Sequence, residues 1–293
     1  MILCYNSSMR RTPQKPRPQG QITRGKTARN RLRRVDNFLC LYDPALIRQP
    51  DPPGQVSWYV DLGYGEEAFT TLESAERLRR LNPALPVLGV EIDPERVRRA
   101  LPYENTLTRF RLGGFNLPLE SNESARLIRA FNVLRQYDES EVQEALLTLG
   151  ERLTAGGLII EGTSDPFGRI WVANLLRKRV DGELWVEGLL FSTNFRWGFE
   201  PAIFQPRLPK NFIHRMLPGE TIESFMTAWK QAALATISMR TLGLRQWFIA
   251  SALALRDLGW PVETRKRPLR QGYLLWKRTG RVRDGALFHD LSG

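Results

Sequence analysis

Val60-Asp61-Leu62-Gly63-Tyr64-Gly65-Glu66-Glu67 decides the fold. Trp58 to Leu62 reads as a strand, and the two glycines after it make a tight turn. Leu72, Ala75, Leu78 and Leu81 then fall on one helical face. Val87-Leu88-Gly89-Val90-Glu91-Ile92 is a second strand, and Asp93-Pro94 supplies a side-chain cap and a first-turn proline for the next helix. One strand-helix-strand-helix unit is thereby complete.

Outward from that unit the alternation continues. Ala125 to Val133 reads as a buried strand. Asp138 and Glu141 have capping-box spacing before a helix lined by Val142, Leu146, Leu149 and Leu153. Gly156-Gly157 leads into the strand Leu158-Ile159-Ile160-Glu161, and Trp185 to Ser192 reads as a strand near the far edge of the sheet. Two C-terminal helices follow, one with Ile222, Phe225, Met226 and Trp229 on a face, the other with Leu244, Trp247, Ser251, Leu255 and Leu258. The expected fold is α/β: a Rossmann-like, doubly wound, mostly parallel sheet with a disordered basic N-terminal arm and C-terminal helices.

Charge sets the first domain limit, and Pro218-Gly219 marks the second. Residues 1–36 hold ten Lys and Arg against one Asp, and residues 261–293 hold eight against three acids, so the body between them is nearly neutral. From Arg10 to Asn30 there is no apolar period, and such a segment buries too little surface to offset its ordering entropy. Leu32, Val35 and Leu39 recur at helical spacing just after it. The expected organisation is a flexible basic arm over 1–36, a nucleoside-binding domain over 37–215, and a helical extension with a basic tail over 216–293.

Composition removes several function classes. No apolar run reaches the roughly 18 residues of a membrane span, and the expected compartment is the cytoplasm. Cys4, Cys40, His214 and His289 are too few and too scattered for a zinc site, so no metal is expected. Two imidazoles in the whole chain also argue against a Ser-His-Asp hydrolase.

In a doubly wound sheet the ligand lies outside the carboxyl ends of the strands. Gly63 and Gly65 suit close approach by a ligand, and Glu91, ending the second strand, suits a pair of ribose hydroxyls. A dinucleotide would set its pyrophosphate on the following helix N-terminus, where Glu66 and Glu67 repel it. S-adenosylmethionine has no phosphate and carries a cationic sulfonium, so it tolerates an acidic turn.

Val60 to Gly65 resembles motif I of class I methyltransferases, and Gly89-Val90-Glu91-Ile92-Asp93-Pro94 resembles their ribose-binding segment. Ile128 to Tyr137 is similar to the family's fourth-strand segment, and Ala155 to Glu161 to its fifth-strand entry. The likeness spans roughly residues 55 to 200 and implies S-adenosyl-L-methionine as cofactor. Asp61, Gly63, Gly65, Glu91, Phe115 and Asn116 are its implied contacts. Phe115 would stack on adenine and Asn116 bond its amino group, where the family's usual Asp is missing. Motif I departs too, with Glu67 at its third glycine and 30 residues from Asp61 to Glu91.

Methyl transfer needs alignment more than any universal catalytic side chain, so the sequence points to the cofactor better than to the acceptor. RNA, protein and small molecules all stay open. No Asp/Asn-Pro-Pro-aromatic motif follows the fourth strand, and no cysteine nucleophile sits there. Asn132, Tyr137 and His214 are candidate catalytic residues, beside the acids Glu161 and Asp165 and the strand-end Arg129. The basic arm and tail suggest RNA as a partner. The competing readings are a non-catalytic nucleic-acid-binding protein on a degenerate methyltransferase fold, and a nicotinamide oxidoreductase.

Overall fold

The computed structural model describes residues 17–289, so the start of the expected arm lies outside the described residues. Helix α1 (Arg33–Tyr42) docks through Leu32, Val35 and Leu39, and α2 (Pro44–Arg48) is capped by the Asp43 side chain. Strand β1 (Val56–Leu62) is followed by α3 (Phe69–Leu78), β2 (Val87–Glu91), α4 (Pro94–Ala100) and β3 (Thr108–Leu112). The Asp93 carboxylate accepts the Glu95 N–H at 2.9 Å, which starts α4 where the sequence places it.

Strand β4 (Glu123–Phe131) leads to α5 (Glu139–Glu151), whose Asp138 and Glu141 form the reciprocal cap. Three long strands follow, β5 (Leu153–Ser164), β6 (Ile170–Lys178) and β7 (Leu184–Thr193). After α6 (Lys210–Ile213), α7 (Thr221–Ala235), α8 (Leu244–Asp257) and α9 (Lys266–Arg270), the chain returns as β8 (Tyr273–Arg281).

All eight strands form one sheet in the order β3-β2-β1-β4-β5-β6-β7-β8. Pairings from β3 to β5 are parallel and those from β5 to β8 antiparallel. Strand order reverses between β1 and β4, which opens a crevice at their carboxyl ends. Helix α5 covers one face, packing Val142, Leu146 and Leu149 on Val60, Leu88 and Ile128. Helices α1 and α3 cover the other, where Val35, Leu39, Ala75 and Leu78 meet Tyr59, Val87 and Leu127. The C-terminal pair α7 and α8 packs on Val172, Leu189 and Phe191 through Phe225, Trp229 and Phe248.

Two strands escape the sequence reading. β6 is buried along Ile170 to Leu176 on both faces, with Asn174 breaking the apolar run and no alternation, and in β8 the bases conceal the period: Lys277, Thr279 and Arg281 are exposed while Arg278 and Gly280 turn inward. The extension expected over 216–293 therefore supplies the edge strand of the same sheet as residues 37–215. No helix among the described residues is long and apolar enough to cross a membrane.

Candidate functional site

The glycine turn adopts left-handed backbone angles, φ +69° at Gly63 and +93° at Gly65. A Cβ on Gly63 would sit 2.7 Å from Val133 Cγ2, and one on Gly65 2.5 Å from the Gly25 carbonyl oxygen. Only glycine meets both conditions without a shift. Buried Glu91 grips this turn: its Oε2 accepts the Gly65 N–H at 3.0 Å and its Oε1 accepts the Ile92 N–H at 2.9 Å. Arg96 lies 3.6 Å away.

Asp61 is spoken for from inside. It accepts hydrogen bonds from the Thr70 and Thr71 hydroxyls at 2.9 and 2.8 Å and pairs with Arg129 at 2.8 Å. Arg129 is fully buried and also reaches Asp36 of α1 at 2.6 Å, while Arg77 reaches the other oxygen of Asp36 at 3.0 Å. Desolvation pulls the Arg129 guanidinium down, but Asp61, Tyr59 and Asp36 more than offset it and hold it above its ordinary value. Burial pushes the Asp36 carboxyl up, against the pull of Arg129 and Arg77.

Residues 17–28, within the described part of the expected arm, lie along the strand ends. The Phe115 N–H donates to the Gln19 carbonyl at 2.9 Å, and the Gln19 N–H donates to Asn116 Oδ1 at 2.9 Å. The Asn116 amide nitrogen donates to the Arg17 carbonyl, and the Tyr137 hydroxyl accepts the Gln21 N–H. Further along, Arg96 donates to the Thr23 carbonyl at 2.8 Å and the Glu66 N–H to the Gly25 carbonyl at 2.9 Å. A segment without an apolar face is thus held through its backbone polar groups, which no hydrophobic pattern reports. Between Gly63, Glu91 and Phe115 it leaves only about 20 Å³.

Beyond Thr23 the crevice opens into a cavity of about 620 Å³ over the ends of β1, β4 and β5. Asn132 lines it in a left-handed conformation (φ +61°), held by its own N–H to the Gly162 carbonyl and by Ser164, whose N–H donates to Asn132 Oδ1 at 3.1 Å. The structure thus brings Gly63, Gly65, Asp61 and Asn132 to one cavity, and Glu91, Phe115 and Tyr137 to the adjoining filled crevice. His214 is exposed at the end of α6 beside Lys210 and is not among the residues lining the cavity. Of the bases that line it, Arg24, Lys26 and Arg31 belong to the basic arm, whereas Arg135 and Arg207 were not singled out by the sequence; Arg207 ends a 3-10 turn that carries no motif.

Glu161 is fully buried, receives the Asn174 side-chain N–H at 2.8 Å, and is pushed up to about 7 by burial against that hydrogen bond. Between the ordinary carboxylate range and about pH 7 the native state keeps a proton that the unfolded chain has lost, so stability due to this group falls as pH rises through that window. Glu161→Gln is therefore expected to gain on the wild type by on the order of 2 to 3 kcal/mol between acidic and slightly alkaline pH. Denaturant unfolding at both ends of the window measures it, and a difference that does not change with pH would exclude a titrating Glu161.

No protein-family model and no curated protein matches this chain. Among solved structures it is similar to the citrinin polyketide synthase CMeT domain, at 15% identity and TM-score 0.37, over 47% of this chain and 36% of that one. It is also similar to the N-methyltransferase NodS from Bradyrhizobium japonicum WM9, at 18% identity and TM-score 0.31, over 45% of this chain and 67% of that one. A third is an S-adenosylmethionine dependent methyltransferase from Mesorhizobium loti, at 20% identity and TM-score 0.30, over 42% and 53%. The chain spans about a third of the first of these and about half to two thirds of the others. The Rossmann-like sheet expected from the class I methyltransferase resemblance is present in this chain's own strand order and glycine turn. No group of three or more His, Cys, Asp or Glu among the described residues could hold a metal ion.

Proposed function

We propose that the chain is an S-adenosylmethionine-dependent methyltransferase whose cofactor crevice runs from Phe115 to Gly63 and whose acceptor enters the adjoining cavity. The observation that carries this is the pair formed by the Phe115 N–H, a donor, and Asn116 Oδ1, an acceptor, at the end of β3. Adenine offers the complementary edge, a ring nitrogen that accepts beside an amino group that donates. The Gln19 peptide, with its C=O and N–H, fills that pair here and supports the reading as an adenine-shaped occupant.

The residues fit the cofactor in part. Gly63 and Gly65 give a cradle without side chains, and the acids Glu66 and Glu67 on the turn are exposed and free of a phosphate's conflict. Residues 19–23 have to leave before an adenosine can enter. Once bound, the cofactor supplies an electrophilic methyl on a sulfonium. The chain's own part is to orient it, exclude water, and hold the acceptor beside Asn132 and Ser164.

Calorimetric titration of the full chain with S-adenosylmethionine, S-adenosylhomocysteine and NAD tests this. The methionine-derived pair is expected to bind, with Gly63→Trp and Glu91→Ala each weakening it by roughly tenfold or more, about 1.4 kcal/mol. Stoichiometric NAD binding would replace this reading with the oxidoreductase one.

A further inference from the structure

Arg24, Lys26, Arg31, Arg135 and Arg207 all line the large cavity, and none of them forms an ion pair among the described residues. Two carboxylates near them are already engaged, and Glu66, beside Gly25, is exposed. Asp61 is held by Arg129, and Asp165, the acid facing Arg31, accepts the N–H groups of Phe167 and Ile170 at 2.7 and 2.6 Å. The cations also press on one another: burial, and then the charge of Arg207, holds Arg135 below its ordinary value. An excess of fixed positive charge around an open cavity favours an anionic occupant.

A second cluster lies next to the first. Three residues beyond Arg31, Arg34 opens a pocket of about 430 Å³ shared with Arg245, Arg267 and Arg270, and no acid lines it. Arg34 is fixed there by the Ser192 hydroxyl at 3.0 Å and the Gln271 carbonyl at 2.7 Å, and lies over the Tyr273 ring. Two basic segments more than 200 residues apart in the chain therefore meet at one surface. Neither is a free tail at this point.

At the cavity mouth, Phe167 and Trp197 are large and exposed, at 60% and 47%, with the Arg169 guanidinium 4.8 Å from each ring. Phe167 also lines the cavity. A small anion would use one cluster and leave the other cluster and this stack without purpose. A flexible phosphodiester strand uses all three, phosphates on the arginines and a base on the exposed ring.

We propose that this surface binds a nucleic-acid strand, its phosphates following the two arginine clusters and a base stacked on Phe167, so that the methyl acceptor is presented to the cavity on that strand. The assignment of the acceptor rests on the methyltransferase reading above; the binding surface does not.

The test is fluorescence anisotropy of a labelled single-stranded RNA oligonucleotide, and of DNA of the same sequence, with the full chain over a range of KCl. Binding is expected to weaken linearly on logarithmic axes, with a slope near −0.7 for each phosphate neutralised. Arg267→Ala with Arg270→Ala is expected to weaken binding about tenfold and to flatten the slope by about 1.4. Phe167→Ala is expected to weaken it at every salt concentration with the slope unchanged. All three side chains are exposed, and thermal unfolding of each variant checks that it folds. Polyglutamate competing as well as unlabelled oligonucleotide, with Phe167→Ala silent, would overturn the proposal in favour of an acidic protein partner. Failure of both oligonucleotides to bind would overturn it outright. Cofactor calorimetry on the same preparation separates the two readings: cofactor binding without strand binding sinks only this inference, and strand binding without cofactor binding sinks only the enzyme.

Discussion

Arg129→Met is expected to lower the free energy of unfolding by about 3 to 5 kcal/mol, the largest loss from any single side chain described above. Arg129 has no solvent exposure, and its guanidinium joins Asp36 at 2.6 Å to Asp61 at 2.8 Å. Removing it leaves two carboxylates facing each other in a dry interior, with the Thr70, Thr71 and Ser74 hydroxyls as their remaining neutral partners and Arg77 reaching only Asp36. The loss is mainly the desolvation of stranded charge, so neutralising the stranded acids as well should restore part of it. Asp36→Asn, Asp61→Asn and Arg129→Met together are expected to be more stable than Arg129→Met alone. Urea unfolding midpoints at unchanged slope give both values. A single-variant loss below about 1 kcal/mol would mean that water already reaches the triad.

That triad also shows how far the sequence could be read. Asp61 stands out there as the acid of a glycine-rich turn, which suggests a ligand contact, and Arg129 as a polar residue near a strand end. Their mutual neutralisation depends on Asp36, 25 residues before Asp61 and inside the cluster where Leu32, Val35 and Leu39 recur at helical spacing. Local patterns carry the elements well: the Asp93 and Asp138 caps, the Gly63 turn and the faces of α3 and α5 all follow from spacing over a few residues. Pairings over long separations carry no such period. The approach of Arg34 to Gln271 and of Gln19 to Asn116 joins segments 237 and 97 residues apart. Both involve stretches whose polarity reads as solvated tail. Polar backbone docking and edge-strand addition leave the same composition as disorder, and only the partner distinguishes them.

Removing residues 1–23 is expected to tighten S-adenosylmethionine binding by roughly tenfold to a hundredfold, if the reading of the crevice as its site holds. On that proposal the crevice of the full chain is competent only in the fraction of molecules from which residues 17–23 have withdrawn, and apparent affinity scales with that fraction. The contacts to be broken are known: the Gln19 peptide on Phe115 and Asn116, the Gln21 N–H on Tyr137, and the Thr23 carbonyl on Arg96. Each backbone bond contributes about 0.5 to 1.5 kcal/mol net, offset by the entropy of ordering a segment with no apolar anchor, which leaves a surplus of only a few kcal/mol for the docked state. A docked state that shallow is one a cofactor can displace. Gly20→Val supplies an independent perturbation, because a Cβ there meets the Tyr137 hydroxyl at 2.9 Å and φ is +138°. It should move affinity in the same direction as the truncation while leaving the bases of residues 1–23 in the chain. Calorimetry on the three proteins decides between two roles for the segment. Tighter binding in both altered chains makes it a competitor for the crevice. Weaker binding in both would instead make it a lid that closes over the bound ligand and would remove the competition argument.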